Sequence, residues 1–345
     1  NMWQLTLNDT NNPYTWLWYL KTTETNKAWD VTRGDSNILV AIIDFEVDIT
    51  HPDLASKIIL PFDPYDSIAF NCNPWHGHGT GVASFAGAET VDNGSTPNGQ
   101  LASAGYKNKI IFYRSTVSRE VFLKKALHAS NVMGAKIITS CSGGSLYCYP
   151  KLSSGEDLVI KEILNNGTSI IMPAGNGIND THCGTNSPYN HHSFYPFNPI
   201  YDDRIIIVSG TDTNDNHSYQ DIYGNDKTHS HYPAVDFCAP GHDLMGAVPT
   251  NCGAVTWPYW GGQGGTSFAT PIVSSIASLV LSANPCLSPR ELKSILKYTT
   301  DSINDANLFG DSIGTGRINS SRPLPQRIDP GRWRGSGGGR RGRRR

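Results

Sequence analysis

Apolar runs bounded by turn-forming residues recur along the chain at 38–43, 110–113, 136–139, 169–172 and 204–208. Short continuous runs of this kind predict strands covered on both faces, as in a parallel sheet. Stretches of helical period lie between them, at 119–133 and 156–165. Strands alternating with helices predict a single α/β domain of three layers, a doubly wound, mostly parallel sheet flanked by helices. Near the end, Ser288-Pro289-Arg290-Glu291 puts a capping residue, a first-turn proline and a reciprocating Glu ahead of Leu292, Ile295 and Leu296. That pattern predicts a terminal helix.

The 345 residues include 34 Gly and 21 Pro, a globular composition rich in turns. The net charge of −2 hides a division: nine Arg and one Asp fall in residues 322–345, leaving 19 basic against 29 acidic residues before them. Residues 1–321 are therefore expected to form the folded domain. The Pro/Gly/Arg-rich residues 322–345 are expected to form a disordered basic tail, having few apolar groups to offset the entropy of ordering. Trp333 among those arginines could stack on nucleic-acid bases, but a solvated tail is the simpler reading and no nucleic-acid partner is expected. No run of about 18 apolar residues predicts a membrane span. Asn1-Met2-Trp3 lacks the charged and apolar regions of a signal peptide. Six N-x-S/T triplets, at Asn8, Asn93, Asn166, Asn179, Asn216 and Asn319, suit a secreted protein. Seven cysteines, an odd number, leave at least one thiol unpaired within the chain.

Three segments carry candidate chemistry. The first strand ends in Asp44, at the carboxyl edge where α/β sheets place their sites. Next, His76-Gly77-His78-Gly79-Thr80-Gly81-Val82-Ala83 is a turn leading into a helix of small residues. Zinc is not expected at its two histidines, because no Cys or carboxylate cluster accompanies them. Third, Gly264-Gly265-Thr266-Ser267-Phe268-Ala269-Thr270-Pro271 leads into an apolar run and stands Ser267 at a helix N-terminus, where backbone N–H groups favour developing negative charge. Singly, Asp44 reads as a loop cap and Ser267 as a helix cap. Jointly, the three supply a hydroxyl nucleophile, a general base and an acid to fix the tautomer of that base.

The order Asp44, His78, Ser267, with His78-Gly79-Thr80-Gly81-Val82-Ala83 and Gly265-Thr266-Ser267-Phe268-Ala269-Thr270-Pro271, resembles the subtilisin family. The likeness runs over about residues 10–321 and takes in Ala28-Trp29-Asp30-Val31-Thr32-Arg33-Gly34, Phe237-Cys238-Ala239-Pro240-Gly241 and Gly314-Thr315-Gly316-Arg317-Ile318-Asn319. It implies a subtilisin-like fold and a serine endopeptidase acting on protein or peptide substrates through an acyl-enzyme. His78 would be the base, with His76 its rival, and Asp44 its orienting acid. Pro173-Ala174-Gly175-Asn176 matches the segment of the oxyanion-hole asparagine, which would be Asn176. Cys141, Ser142, Gly143 and Gly144, with Ala174 and Gly175, would bind substrate. The resemblance also implies a chain that starts after a removed propeptide, and chemistry that needs no cofactor. Asp53 matches a frequent calcium ligand, with Asp92, Asn93 or Asn98 as further oxygens, so a structural calcium is an open expectation.

The sequence departs from the family after the aspartate, where Phe45 and Glu46 replace a hydroxyl residue and a glycine. Asp44 is accordingly expected to be held by fewer donors. Two other functions stay open at this level. One is peptide ligation by the same acyl-enzyme, with an amine in place of water; the other is a peptide-binding scaffold without catalysis.

Overall fold

The computed structural model describes residues 17–61, 77–89, 101–114, 118–141, 152–176, 199–220, 226–250 and 258–324. The strands are β1 (Leu39–Asp44), β2 (Ile58–Ile59), β3 (Lys109–Arg114), β4 (Ile137–Ser140), β5 (Ser169–Pro173), β6 (Ile205–Thr211), β7 (Ser218–Gln220), β8 (Asp226–Thr228), β9 (Phe237–Pro240), β10 (Leu244–Ala247) and β11 (Tyr259–Gln263). The helices are α1 (Trp18–Thr22), α2 (Thr25–Ala28), α3 (His78–Gly87), α4 (Arg119–Asn131), α5 (Ser154–Asn165), α6 (Thr266–Ala283) and α7 (Pro289–Tyr298). Among the described residues, seven strands form one sheet in the order β2-β3-β1-β4-β5-β6-β9, and every pairing in it is parallel. The β10–β11 and β7–β8 pairs are antiparallel.

Alternation along β1 explains its continuous apolar run. Val40 and Ile42 enter one core with α3 and α6, while Ala41 and Ile43 enter the other with α4 and α5. The sheet is therefore the middle of three layers, as the sequence predicts. The chain crosses from β3 on one side of β1 to β4 on the other, so the strand order reverses at β1. Sheets of this kind open a crevice at the carboxyl ends of the strands flanking such a reversal.

Helix α6 carries the buried face of the first core, from Ile272 and Val273 through Leu281. Among the described residues it is the one helix long and apolar enough to cross a membrane, and 78% of it is buried against the sheet and α3. Helices α5 and α7 both begin with the reciprocal Ser–Glu cap, at Ser153 with Glu156 and at Ser288 with Glu291. The first residues of the basic tail expected at 322–345 contact the fold. Arg322 pairs with Asp301 and Leu324 is buried in the first core, and the rest of the expected tail, 325–345, lies outside the described residues. Asn319 is fully buried with its amide on Glu24 and Asp301, which removes it from the set of accessible glycosylation triplets. Cys141, Cys238 and Cys286 are free thiols.

Beyond β6 a group of rings packs together. His217 lies 5.3 Å from His231 and 4.6 Å from Phe309, and Tyr219 lies 4.8 Å from His229. Burial lowers His217 to about 4, with its Nδ1 against the Gly210 carbonyl. Burial, followed by the charges of His217 and His242, holds His229 well below the ordinary histidine range. Unfolded histidines take up a proton near 6.5, whereas these stay neutral in the fold, so stability is complete above that pH and lost below it. Denaturation followed by circular dichroism should show a loss of about 3 kcal/mol for His217 alone by pH 4. A stability that stays flat as the pH falls below 6.5 would contradict this.

Candidate active site

Asp44 closes β1 at the carboxyl edge of the sheet and is fully buried. Its Oδ1 accepts the Nδ1–H of His78 at 2.8 Å and the backbone N–H of Phe45 at 2.7 Å. Oδ2 is buried and, among the described residues, has no hydrogen-bond partner, Phe45 having no hydroxyl to offer it. The bond to Asp44 settles the proton of the imidazole on Nδ1 and leaves Nε2 as an acceptor. His78 opens α3, and Gly79 behind it lies against the Glu46 carbonyl, which a Cβ would meet at 2.3 Å. The imidazole rests between the rings of Phe45 at 5.9 Å and Phe268 at 5.4 Å, with 27% of its side chain exposed and so open to a substrate. Burial disfavours the imidazolium, but the charge and hydrogen bond of Asp44 outweigh it and raise the pKa of His78 above its ordinary 6.5.

Ser267 is the second residue of α6, and Phe268 beside it carries the start of that helix onto His78. Its Oγ donates to the Cys141 carbonyl at 3.4 Å, a long bond, and is not hydrogen-bonded to His78 in this arrangement. Rotation about χ1 is what such a hydroxyl needs to turn towards Nε2, and unliganded sites often hold this bond open. Pro271, four residues on, has no N–H to give to the Ser267 carbonyl.

Asn176 follows β5 and is fixed from one side. Its Oδ1 accepts from the backbone N–H of Thr266 at 2.7 Å and from Thr266 Oγ1 at 3.1 Å. Thr266 Oγ1 in turn accepts the N–H of Gly175 at 3.0 Å. With Oδ1 engaged on Thr266, the residue before Ser267, the amide Nδ2 is the end left as a donor among the described residues. Gly265 (φ 130°) lets the chain pass this amide, since a Cβ there would lie 3.1 Å from both its oxygen and its nitrogen.

The structure thus brings Asp44, His78, Ser267, Asn176 and Cys141 to one edge of the sheet. Ala174 is buried, and Gly175 spends its carbonyl on Ser230, so both form the wall beside Asn176. Burial and the neighbouring Asp44 charge keep the Cys141 thiol well above its ordinary pKa, hence protonated. Ser142, Gly143, Gly144 and the rival base His76 lie outside the described residues. So do Asp92, Asn93 and Asn98; Asp53 is buried, and among the described residues no group of three or more His, Cys, Asp or Glu could hold a metal. The sequence marks Phe45 only as a missing donor to Asp44, and it gives no role in the site to Thr266 or Phe268, whose one signal is their place on either side of Ser267.

An α/β sheet with an Asp–His pair at its switch point and a serine at the start of a neighbouring helix defines a class of hydrolases. A family model described as the Subtilase family matches residues 35–316, and the chain belongs to that family. Thermitase of Thermoactinomyces vulgaris is 28% identical over 302 residues, covering 86% of this chain and 92% of thermitase. The thermophilic serine proteinase of Bacillus sp. strain AK1 is 28% identical over 306 residues, but the match spans 64% of that protein. Among solved structures, fervidolysin from Fervidobacterium pennivorans is similar with a TM-score of 0.66 at 21% identity, over 89% of this chain and 45% of that one. The prenylagaramide maturation protease PagA is similar at 0.60 and 22% identity, over 87% of this chain and 96% of that one. Those two likenesses concern the fold. The chain is a subtilisin-like serine protease, a hydrolase whose substrates are proteins or peptides.

Proposed function

We propose that the protein is a secreted serine endopeptidase in which Ser267, His78 and Asp44 form the triad and Asn176 supplies an oxyanion donor. The buried Asp44–His78 bond beside the start of α6 is the observation that carries this reading. The Ser267 hydroxyl adds to the scissile carbonyl as Nε2 of His78 takes its proton. The negative oxygen meets Nδ2 of Asn176 and the N–H of Ser267. Nε2 then returns the proton to the leaving amine, giving an acyl-enzyme, and water activated by the same imidazole releases the acid. Asp44 keeps its hydrogen bond to Nδ1 and stabilises the imidazolium. The segment from Cys141 to Gly144, with Ala174 and Gly175, would border the substrate, and no cofactor takes part in these steps.

His78 serves as a base only when neutral. Because its pKa is raised, kcat/KM should climb as the pH rises through a midpoint above 6.5, and a midpoint below that value would contradict the Asp44–His78 coupling. The assignment itself is tested with a diverse peptide library, scored by mass spectrometry for hydrolysed and ligated products. Hydrolysed fragments are expected. Ligated products alone would make the protein a transpeptidase of the same family, and neither product would overturn catalysis.

A further inference from the structure

At the register position beside Asp44 stands a second ion pair, Arg114 with Glu46, that the reaction does not use. Arg114 ends β3 as the register partner of Asp44, so both side chains leave the same face of the sheet. Its Nη2 donates to Glu46 Oε1 at 2.8 Å, and the Glu46 side chain is only 7% exposed. The Arg114 carbonyl is itself held by the ammonium of Lys125.

Two contacts connect Glu46 to the triad. Phe45, between Asp44 and Glu46, donates its N–H to Asp44 Oδ1 and sets its ring against His78. The Glu46 carbonyl packs on Gly79, immediately after His78. Because Asp44 Oδ2 has no partner among the described residues, the carboxylate is oriented there through Oδ1, which takes one bond from His78 and one from Phe45. Whatever fixes Glu46 therefore fixes both a donor to Asp44 and the seat of His78.

We propose that the Glu46–Arg114 ion pair is a positioning device, holding residues 45 and 46 so that Asp44 orients His78 without the hydroxyl donor that Phe45 replaces. The proposal rests on the triad reading above. Glu46 and Arg114 act through Asp44 and His78 and touch no substrate.

The test compares wild type with Glu46→Gln, measuring kcat, KM, the pH midpoint of kcat/KM and the melting temperature. Displacements of about 1 Å in a catalytic group can cost on the order of 100-fold, so a roughly 10- to 100-fold fall in kcat with little change in KM is expected. The pH midpoint should also move down, since a misaligned Asp44 raises the pKa of His78 less. A lower melting temperature with wild-type kcat, KM and midpoint would overturn the proposal and make the pair purely structural. Should Glu46→Gln not fold, Glu46→Asp keeps the charge on a shorter arm and carries the same comparison. A lower kcat with a moved midpoint supports the proposal, and wild-type values for both overturn it. An inactive wild type would instead sink the triad reading, and this proposal with it.

Discussion

Ser267→Ala is expected to lower kcat for peptide hydrolysis by about 10⁶-fold, because members of a triad act as a unit and no neighbouring group can replace the hydroxyl. The substitution should leave the fold intact. Ser267 is partly exposed, its hydroxyl makes a long 3.4 Å contact to the Cys141 carbonyl, and Ala suits the first turn of α6. A residual rate above that of water is expected, since the Asn176 amide and the Ser267 N–H survive the change. Kinetics on a cleaved peptide, with the melting temperature as a control, measure this. A variant that is folded and retains more than about 1% of wild-type kcat would remove Ser267 from the role given to it.

Asp236→Ala should be the most damaging single change outside the site. Asp236 precedes β9 and is 4% exposed, with Oδ2 accepting from Lys293 of α7 at 2.7 Å and from the N–H of Ile207 at 3.0 Å. Lys297 adds a weaker contact at 3.3 Å. Removing the carboxylate leaves the Lys293 ammonium 7% exposed, with the Ile205 carbonyl as its remaining partner. Loss of one member of a buried pair costs about 3–5 kcal/mol, which in a chain of 345 residues lowers the melting temperature by roughly 4–7 °C. Burial already lowers the pKa of Lys293 and Asp236 opposes that shift, so the variant should recover part of its stability as the pH rises and the amine sheds its proton. A loss under about 1 kcal/mol at neutral pH would show that the pair contributes little.

Much of this fold was legible because strands buried on both faces write themselves as apolar runs. All five predicted runs became central strands, from β1 to β6 with the short β2 excepted, and their alternation with helices fixed the layers. The strands that sequence reading missed are short or set apart from the core pattern. β9 has four residues ending in Pro240, and β10 pairs with β11 around an irregular register. Neither is long enough to show a period of two. The apolar run after Ser267 became α6, in which Ser274, Ser275 and Ser278 are buried by hydrogen bonding rather than by apolar character.

At the site, Asp44, His78, Ser267 and Asn176 could be singled out because each sits in a short local string. The groups that hold them could not. Phe45 and Glu46 marked a missing donor after Asp44, but nothing local says that Arg114, 68 residues further on, closes onto Glu46; that follows only from the β1–β3 register. The histidines around His217 were equally invisible as a group, being gathered by the chain beyond β6 rather than by sequence spacing.

The central claim is that Ser267 is a nucleophile activated by His78. Treating the wild-type protein with a fluorophosphonate and mapping the adduct by peptide mass spectrometry tests it most directly. A single adduct on Ser267 is expected, formed faster as the pH rises through the raised pKa of His78. No adduct on the folded protein, or one on another residue with Ser267 unmodified, would contradict it.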